Sequence, residues 1–212
     1  MTNTKPSIRE IQPFAHLPSL CISLGSTSRQ SRNDLASVIY TEVNQIILSV
    51  GCSIQQTISS YFDGFHGWLP IVRPRHFVEA MPINIGCPDP EVSLLLMTMC
   101  LIVVEPKVCE LEPSLLLDSL YISVQGLFTY VQRHHCISLC LLQAVILITA
   151  FEYAVGRLEE ARITIGVYAR ISALIGVNKE TSVFELYQQN HDQASMTAEK
   201  WNVWWGVLVM ER

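Results

Sequence analysis

The sequence predicts an all-α fold: about eight helices in antiparallel pairs, packed as an irregular helical array. Three observations predict it. Apolar residues recur at intervals of three and four along most of the chain after position 33. Prolines and glycines fall between those runs, where helices start or stop. The period-two alternation of a strand is nearly absent. No repeat of fixed length recurs, which excludes a regular solenoid but is compatible with stacked helix pairs.

Residues 1–31 carry Pro6, Pro13 and Pro18 and no sustained period, as in a poorly ordered leader. The folded region, 32–212, is expected to begin with a helix from Asp34 to Val50. Its face is Leu35, Val38, Ile39, Val43, Ile46, Ile47 and Val50, with Gly51 as the stop. A second helix runs from Ser53 through Phe62 with Ile54, Ile58, Tyr61 and Phe62 on one side. Gly64 and Gly67 loosen its end, and Trp68-Leu69-Pro70 leaves it. Pro74 suits the first turn of a short helix from Arg75 to Met81, closed by Pro82.

Cys87-Pro88-Asp89-Pro90 is a turn in which the Asp89 carboxylate can cap a helix that has Pro90 in its first turn. That helix, Glu91 to Val104, is apolar nearly all round and so should be buried on most sides, ending before Pro106. Pro113-Ser114 opens a long helix to about Arg133, with Leu116, Leu120, Ser123, Leu127 and Tyr130 on neighbouring turns. Ser138 to Tyr153 is again mostly apolar, and Gly156 breaks it. From Leu158 the pattern becomes amphipathic: Glu159, Glu160, Arg162 and Arg170 on the wet side, Ile163, Val167, Ile171 and Leu174 facing in, Gly176 as the stop. A short helical pattern around Phe184 and Tyr187 and a last helix from Ser195 to Arg212 complete the chain.

Composition limits what such a chain can do. Of 212 residues 50% are apolar and 16% charged, against roughly 25% charged in an ordinary soluble domain. A chain of this length buries about 70% of its unfolded surface, and so little polar surface implies a side that faces a partner. The formal net charge of −5 opposes a phosphate-binding surface, so direct DNA binding by this chain alone is not expected. The longest apolar runs, Val92 to Val104 and Ile137 to Ala150, fall short of the ~20 residues that span hydrocarbon and are read as core helices, not membrane anchors. The amino terminus has no apolar run behind a basic start, so no secretory signal is read there.

The 7 cysteines include no C-x2-C pair, the spacing that lets a zinc ribbon or binuclear cluster grip metal within one turn of chain. They read as reduced thiols serving mostly as small core hydrophobes. His134-His135-Cys136 with Cys140 one helical turn away could ligate metal, but lacks standard ligand spacing; histidines at a helix end have a simpler role beside its carbonyl-rich terminus. His66 beside Asp63 has the composition of a general-base pair, yet nothing near supplies a nucleophile or oxyanion donors, and a structural histidine in an aromatic turn is the plainer reading. Cys100 or Cys109 as a nucleophile would need a histidine placed by the fold. There is no G-x-G-x-x-G and no G-x-x-x-x-G-K-[ST]. No catalytic residue, cofactor or metal is therefore assigned.

Three segments in order carry a family resemblance: Tyr61-Phe62-Asp63-Gly64-Phe65-His66-Gly67-Trp68-Leu69-Pro70-Ile71-Val72; Ala161, Arg162, Gly166, Ala169, Arg170, Ala173, Leu174, Gly176 and Val177 at the intervals of A-R-x-x-x-G-x-A-x-R-x-A-x-x-L-G; and Glu199-Lys200-Trp201-Asn202-Val203-Trp204-Trp205 running on to Arg212. The chain resembles the fungal-specific transcription factor domain, the helical middle region that follows a zinc binuclear cluster. The resemblance covers about Tyr61 to Arg212. Lys200-Trp201-Asn202 departs from the family's arginines, and neither the zinc cluster nor the longer helical half is in this sequence.

The resemblance implies a nuclear transcription regulator that works by protein contact, with a secondary-metabolite or nutrient-pathway gene cluster as its target. A full-length transcription factor or a second copy is the expected partner, and an apolar patch is expected where further helices would lie. Trp201, Trp204 and Trp205 are the candidate interaction residues, since indole is favoured in desolvated interface pockets; the commoner use of such a stripe is core packing. The alternative is a small helical enzyme or ligand-binding bundle whose apolar helices line a pocket for a hydrophobic metabolite.

Overall fold

A computed structural model describes residues 29–81, 86–104, 113–135, 137–176 and 191–210. They form eight α-helices: α1 (Arg29–Ser49), α2 (Ile54–Asp63), α3 (Pro74–Ala80), α4 (Pro90–Val103), α5 (Pro113–His134), α6 (Leu139–Ala154), α7 (Leu158–Ile175) and α8 (His191–Met210). One turn of 3-10 helix, Phe65–Gly67, follows α2, and no strand occurs among the described residues. The fold is all-α, as the sequence predicts. The expected stop at Pro106 and the short helix around Phe184 and Tyr187 lie outside these residues, as do positions 1–28 of the expected leader.

Local chemistry sets most boundaries. Ser53 caps α2 with a complete capping box: its hydroxyl accepts from Gln56 N at 3.2 Å, and the Gln56 side chain accepts from Ser53 N at 2.9 Å. Ser138 caps α6 by accepting from Leu141 N at 3.2 Å. Gly176 closes α7 in the left-handed region at φ 71°, ψ 32°, which a side chain would strain. Helix α1 takes in Arg29 to Asn33 ahead of the expected start at Asp34, and α8 begins at His191, earlier than Ser195. Asp89 is the cap residue of α4, but not through its carboxylate. Its backbone carbonyl accepts from Val92 and Ser93 at 2.9 and 3.0 Å, and no side-chain cap bond forms.

Two helices make the centre. Every residue of α4 from Val92 to Leu101 is buried, as is every residue of α6 from Leu141 to Glu152. Helix α4 packs against α1, α2, α5 and α6, and α6 against α4, α7 and α8, so together they are covered on all sides. Truncating a core leucine such as Leu95 to alanine should cost about 2–5 kcal/mol. The flanking helices each bury one stripe: Ile39, Val43 and Ile47 from α1, and Leu120, Val124, Leu127 and Val131 from α5. Only Val155-Gly156-Arg157 separates α6 from α7, a link short enough to make them antiparallel neighbours.

Helix α7 corrects the sequence reading. Ile171 is buried and Val167 partly so, but Ile163 and Leu174, expected to face in, are 72% and 71% exposed. The buried face is Ala161, Thr164, Tyr168, Ile171 and Ser172. It wins because its hydroxyls are bonded: Thr164 Oγ1 lies 3.1 Å from Glu152 Oε1, and Tyr168 OH donates to the Val207 carbonyl at 3.4 Å.

No single helix among the described residues is long and apolar enough to cross a membrane. The pair formed by Asn33–Ser49 and Ile54–Gly67 passes that test together, bent by 73°, and its apolar residues Ile39, Val43, Ile47 and Tyr61 are spent on the core.

Candidate functional site

The three segments that carry the family resemblance meet at α8. Two of them touch at a corner where α8 crosses the Leu69–Arg73 turn. Glu199, in α8, is 5% exposed and its carboxylate is held on both oxygens. Oε1 accepts from the Arg73 backbone N–H at 3.2 Å and from Gln143 Nε2 at 2.8 Å, and Oε2 accepts from His76 Nδ1 at 2.6 Å. Gln143, inside α6, also donates to the Ile71 carbonyl at 2.8 Å. One turn further along, Asn202 Nδ2 donates to the Pro70 carbonyl at 3.1 Å. At Gly206 a Cβ would lie 2.9 Å from Ile71 Cγ2, so the helix can approach the turn this closely only without a side chain there. Glu199, Val203, Gly206 and Val207 thus form the inward face of α8. Asn202, one of the departures from the family's arginines, serves as an anchor.

The aromatic residues of the opening segment build the outer wall of this corner. Phe62 meets Tyr61 edge-on at 5.2 Å and Phe77 at 6.3 Å, and Phe65 meets Trp68 at 5.2 Å. His66 packs on the Phe62 ring at 5.2 Å, and burial holds its pKa below the ordinary 6.5. Its Nδ1 is buried without a hydrogen-bond partner among the described residues, Asp63 included. His66 and Asp63 are thus not bonded to each other, and His66 sits packed among aromatic rings.

The candidate tryptophans divide. Trp204 is partly buried against the core, while Trp205 is 53% exposed; the side chain of Trp201 lies outside what the structure describes. Trp68, from the opening segment, is also largely exposed. Among the described residues the core of α8 is carried by valine, glycine and glutamate, and Trp204 and Trp205 flank it.

A second buried acid ties the middle of the fold. Glu152, at the end of α6, is fully buried, and its Oε1 accepts from Tyr121 OH at 2.7 Å and Gln125 Nε2 at 3.1 Å, with Thr164 Oγ1 at 3.1 Å. Thr164 has one proton for Glu152 and for the Glu160 carbonyl at 3.0 Å. Oε2 is buried with no partner among the described residues. Burial, the largest cause, raises the Glu152 pKa above the ordinary 4.5. Arg157 pairs with Asp118 and lies over the Tyr121 ring at 4.5 Å, closing the cluster from outside.

The remaining sequence candidates are spread out. His134 stacks on Tyr130 at 4.8 Å, whereas His135 Nδ1 lies 3.7 Å from Glu91 Oε1. Cys136 lies outside the described residues, among which no group of three or more histidine, cysteine or acidic side chains could hold a metal ion. Burial pushes the Cys140 thiol up to about 11 and Cys100 up to about 12, so neither carries thiolate at neutral pH. Cys109 lies outside the described residues. Neither buried glutamate was legible as such: a lone acid in an apolar helix gives no local signal of donors brought by another part of the chain.

Comparison with known proteins gives one informative likeness. The chain is similar to Transcription factor BOA15 of Botryotinia fuckeliana (strain B05.10), at 24% identity over 127 residues, which is 60% of this chain and 69% of that protein. No family model matches the chain. No solved structure matches it.

Proposed function

We propose that this chain is a transcription regulator that acts in the nucleus through protein contact, with no catalytic step of its own. The observation that carries this is its likeness to a protein named as a transcription factor. The convergence of the described parts of Tyr61–Val72 and Ala161–Val177 on α8 supports it further: Tyr168 OH reaches the Val207 carbonyl, and Asn202 reaches the Pro70 carbonyl. A net charge of −5 and the missing basic run at 200–202 favour action through a DNA-binding partner, a full-length factor of the same kind, over direct grip on phosphates. The target in this proposal is a cluster of secondary-metabolite or nutrient-pathway genes.

Deletion and overexpression, each followed by transcript profiling, together with imaging of a tagged copy, test the reading. Coordinated change in a set of neighbouring genes and nuclear signal are expected. A chain that stays out of nuclei and leaves every transcript unchanged would overturn it.

A further inference from the structure

The outward face of α7 is a seam without a core role. Glu159, Ile163, Gly166, Arg170 and Ala173 are spaced four, three, four and three residues apart, so they lie on one line along the helix, and all five are exposed. Leu174, 71% exposed, flanks the same line. Ile163 and Leu174 are the two most exposed large apolar side chains among the described residues. Gly166 stands mid-helix, where glycine is a poor choice, and a Cβ built on it meets nothing within 4 Å. Nothing among the described residues calls for a glycine here. It leaves open backbone beside an exposed isoleucine.

The line is also complementary to itself. When two such helices run antiparallel about a two-fold axis between Ile163 and Gly166, each Ile163 lies over the other copy's Gly166, and each Glu159 faces the other copy's Arg170. The centre is then apolar and closely approached, and both ends carry opposite charges. Glu159 is weakly engaged at home, 3.4 Å from the equally exposed Arg162. Arg170 donates through Nε to the Gly166 carbonyl at 3.0 Å, leaving its terminal nitrogens for a carboxylate. We propose that this face binds a second copy of the chain, as an antiparallel α7–α7 pair centred on Ile163 and Gly166. One helix face buries less than a standard interface, so the dimer is weak and concentration-dependent. The pairing does not rest on the transcription reading: a dimer whose removal leaves transcripts unaltered would sink one and not the other.

Sedimentation velocity of the full chain over a concentration series tests it. The wild type is expected to self-associate. Gly166→Gln is expected to stay monomeric at concentrations where the wild type pairs, with equal or greater helical circular dichroism. Arg170→Glu should weaken association several-fold, and Glu159→Arg with Arg170→Glu should restore it, because the exchanged charges still face each other. A wild type that is monomeric throughout, a dimer indifferent to Gly166→Gln, or a double variant no better than Arg170→Glu would each overturn the proposal. A Gly166→Gln chain that loses its helical signal would do so too, since the open space above Gly166 would then not exist.

Discussion

Glu199 and Glu152 are both buried carboxylates among apolar helices, and their surroundings solve the same problem differently. Glu199 has donors on both oxygens, from His76, the Arg73 backbone and Gln143, which lie 123, 126 and 56 positions away in the chain. Glu152 crowds its donors onto one oxygen, with the nearest donor Thr164 only 12 positions away and Tyr121 31 away, and its other oxygen has no partner among the described residues. The first joins distant parts of the fold through donors to both of its oxygens. The second joins the neighbouring helices α5, α6 and α7, and burial favours its neutral form. The acid where the chain closes on itself is solvated by protein groups on both oxygens, whereas the one between consecutive helices has donors on one oxygen among the described residues and a pKa raised by burial.

Substitution of each acid and its neighbours sharpens this contrast. Glu199→Ala removes an acceptor shared by three buried or half-buried donors and should destabilise by about 3 kcal/mol, lowering the thermal midpoint by about 6–12 °C. A loss under about 1 kcal/mol would show that water replaces the carboxylate there. Gly206→Leu forces a side chain against Ile71 and lifts α8 from the turn, an expected cost of about 1–3 kcal/mol in urea denaturation. Tyr121→Phe removes one of the donors on Glu152 and should cost about 1 kcal/mol by the same measurement.

Glu152→Gln should change stability least, by under about 1 kcal/mol in acid, because the amide copies the protonated acid. Its effect depends on pH. The folded state raises the Glu152 pKa, so the stabilisation this group gives is complete below the unfolded value near 4.5 and is lost as pH rises through the higher folded value. Denaturant midpoints of both proteins between about pH 5 and pH 8 should therefore shift in favour of the glutamine variant as pH rises. Parallel profiles would place the charged form of Glu152 at no disadvantage and erase the distinction between the two acids.

Much of the scaffold was legible in the sequence. Pro74 and Pro90 in first turns and Gly176 after α7 are local chemistry, and the all-apolar α4 and α6 announce burial by composition. What period and hydropathy could not rank was Ile163 against Thr164, or Leu174 against Ser172: a hydroxyl with a partner outcompetes an isoleucine for the inside only if the partner is known. On α8 likewise, Glu199 and Gly206 lie on the face that turns inward, and the local pattern does not mark them. The distances that reveal them span 126 positions of chain.

That span also has a temporal side. During synthesis at ~5–20 residues per second, the 126 positions from Arg73 to Glu199 take about 6–25 s to add. Throughout that interval the Arg73 amide, His76 and Gln143 are already made while their shared acceptor is not. The corner on which the three segments converge is therefore among the last parts of the protein to set, and a ribosome that stops before Glu199 leaves it open.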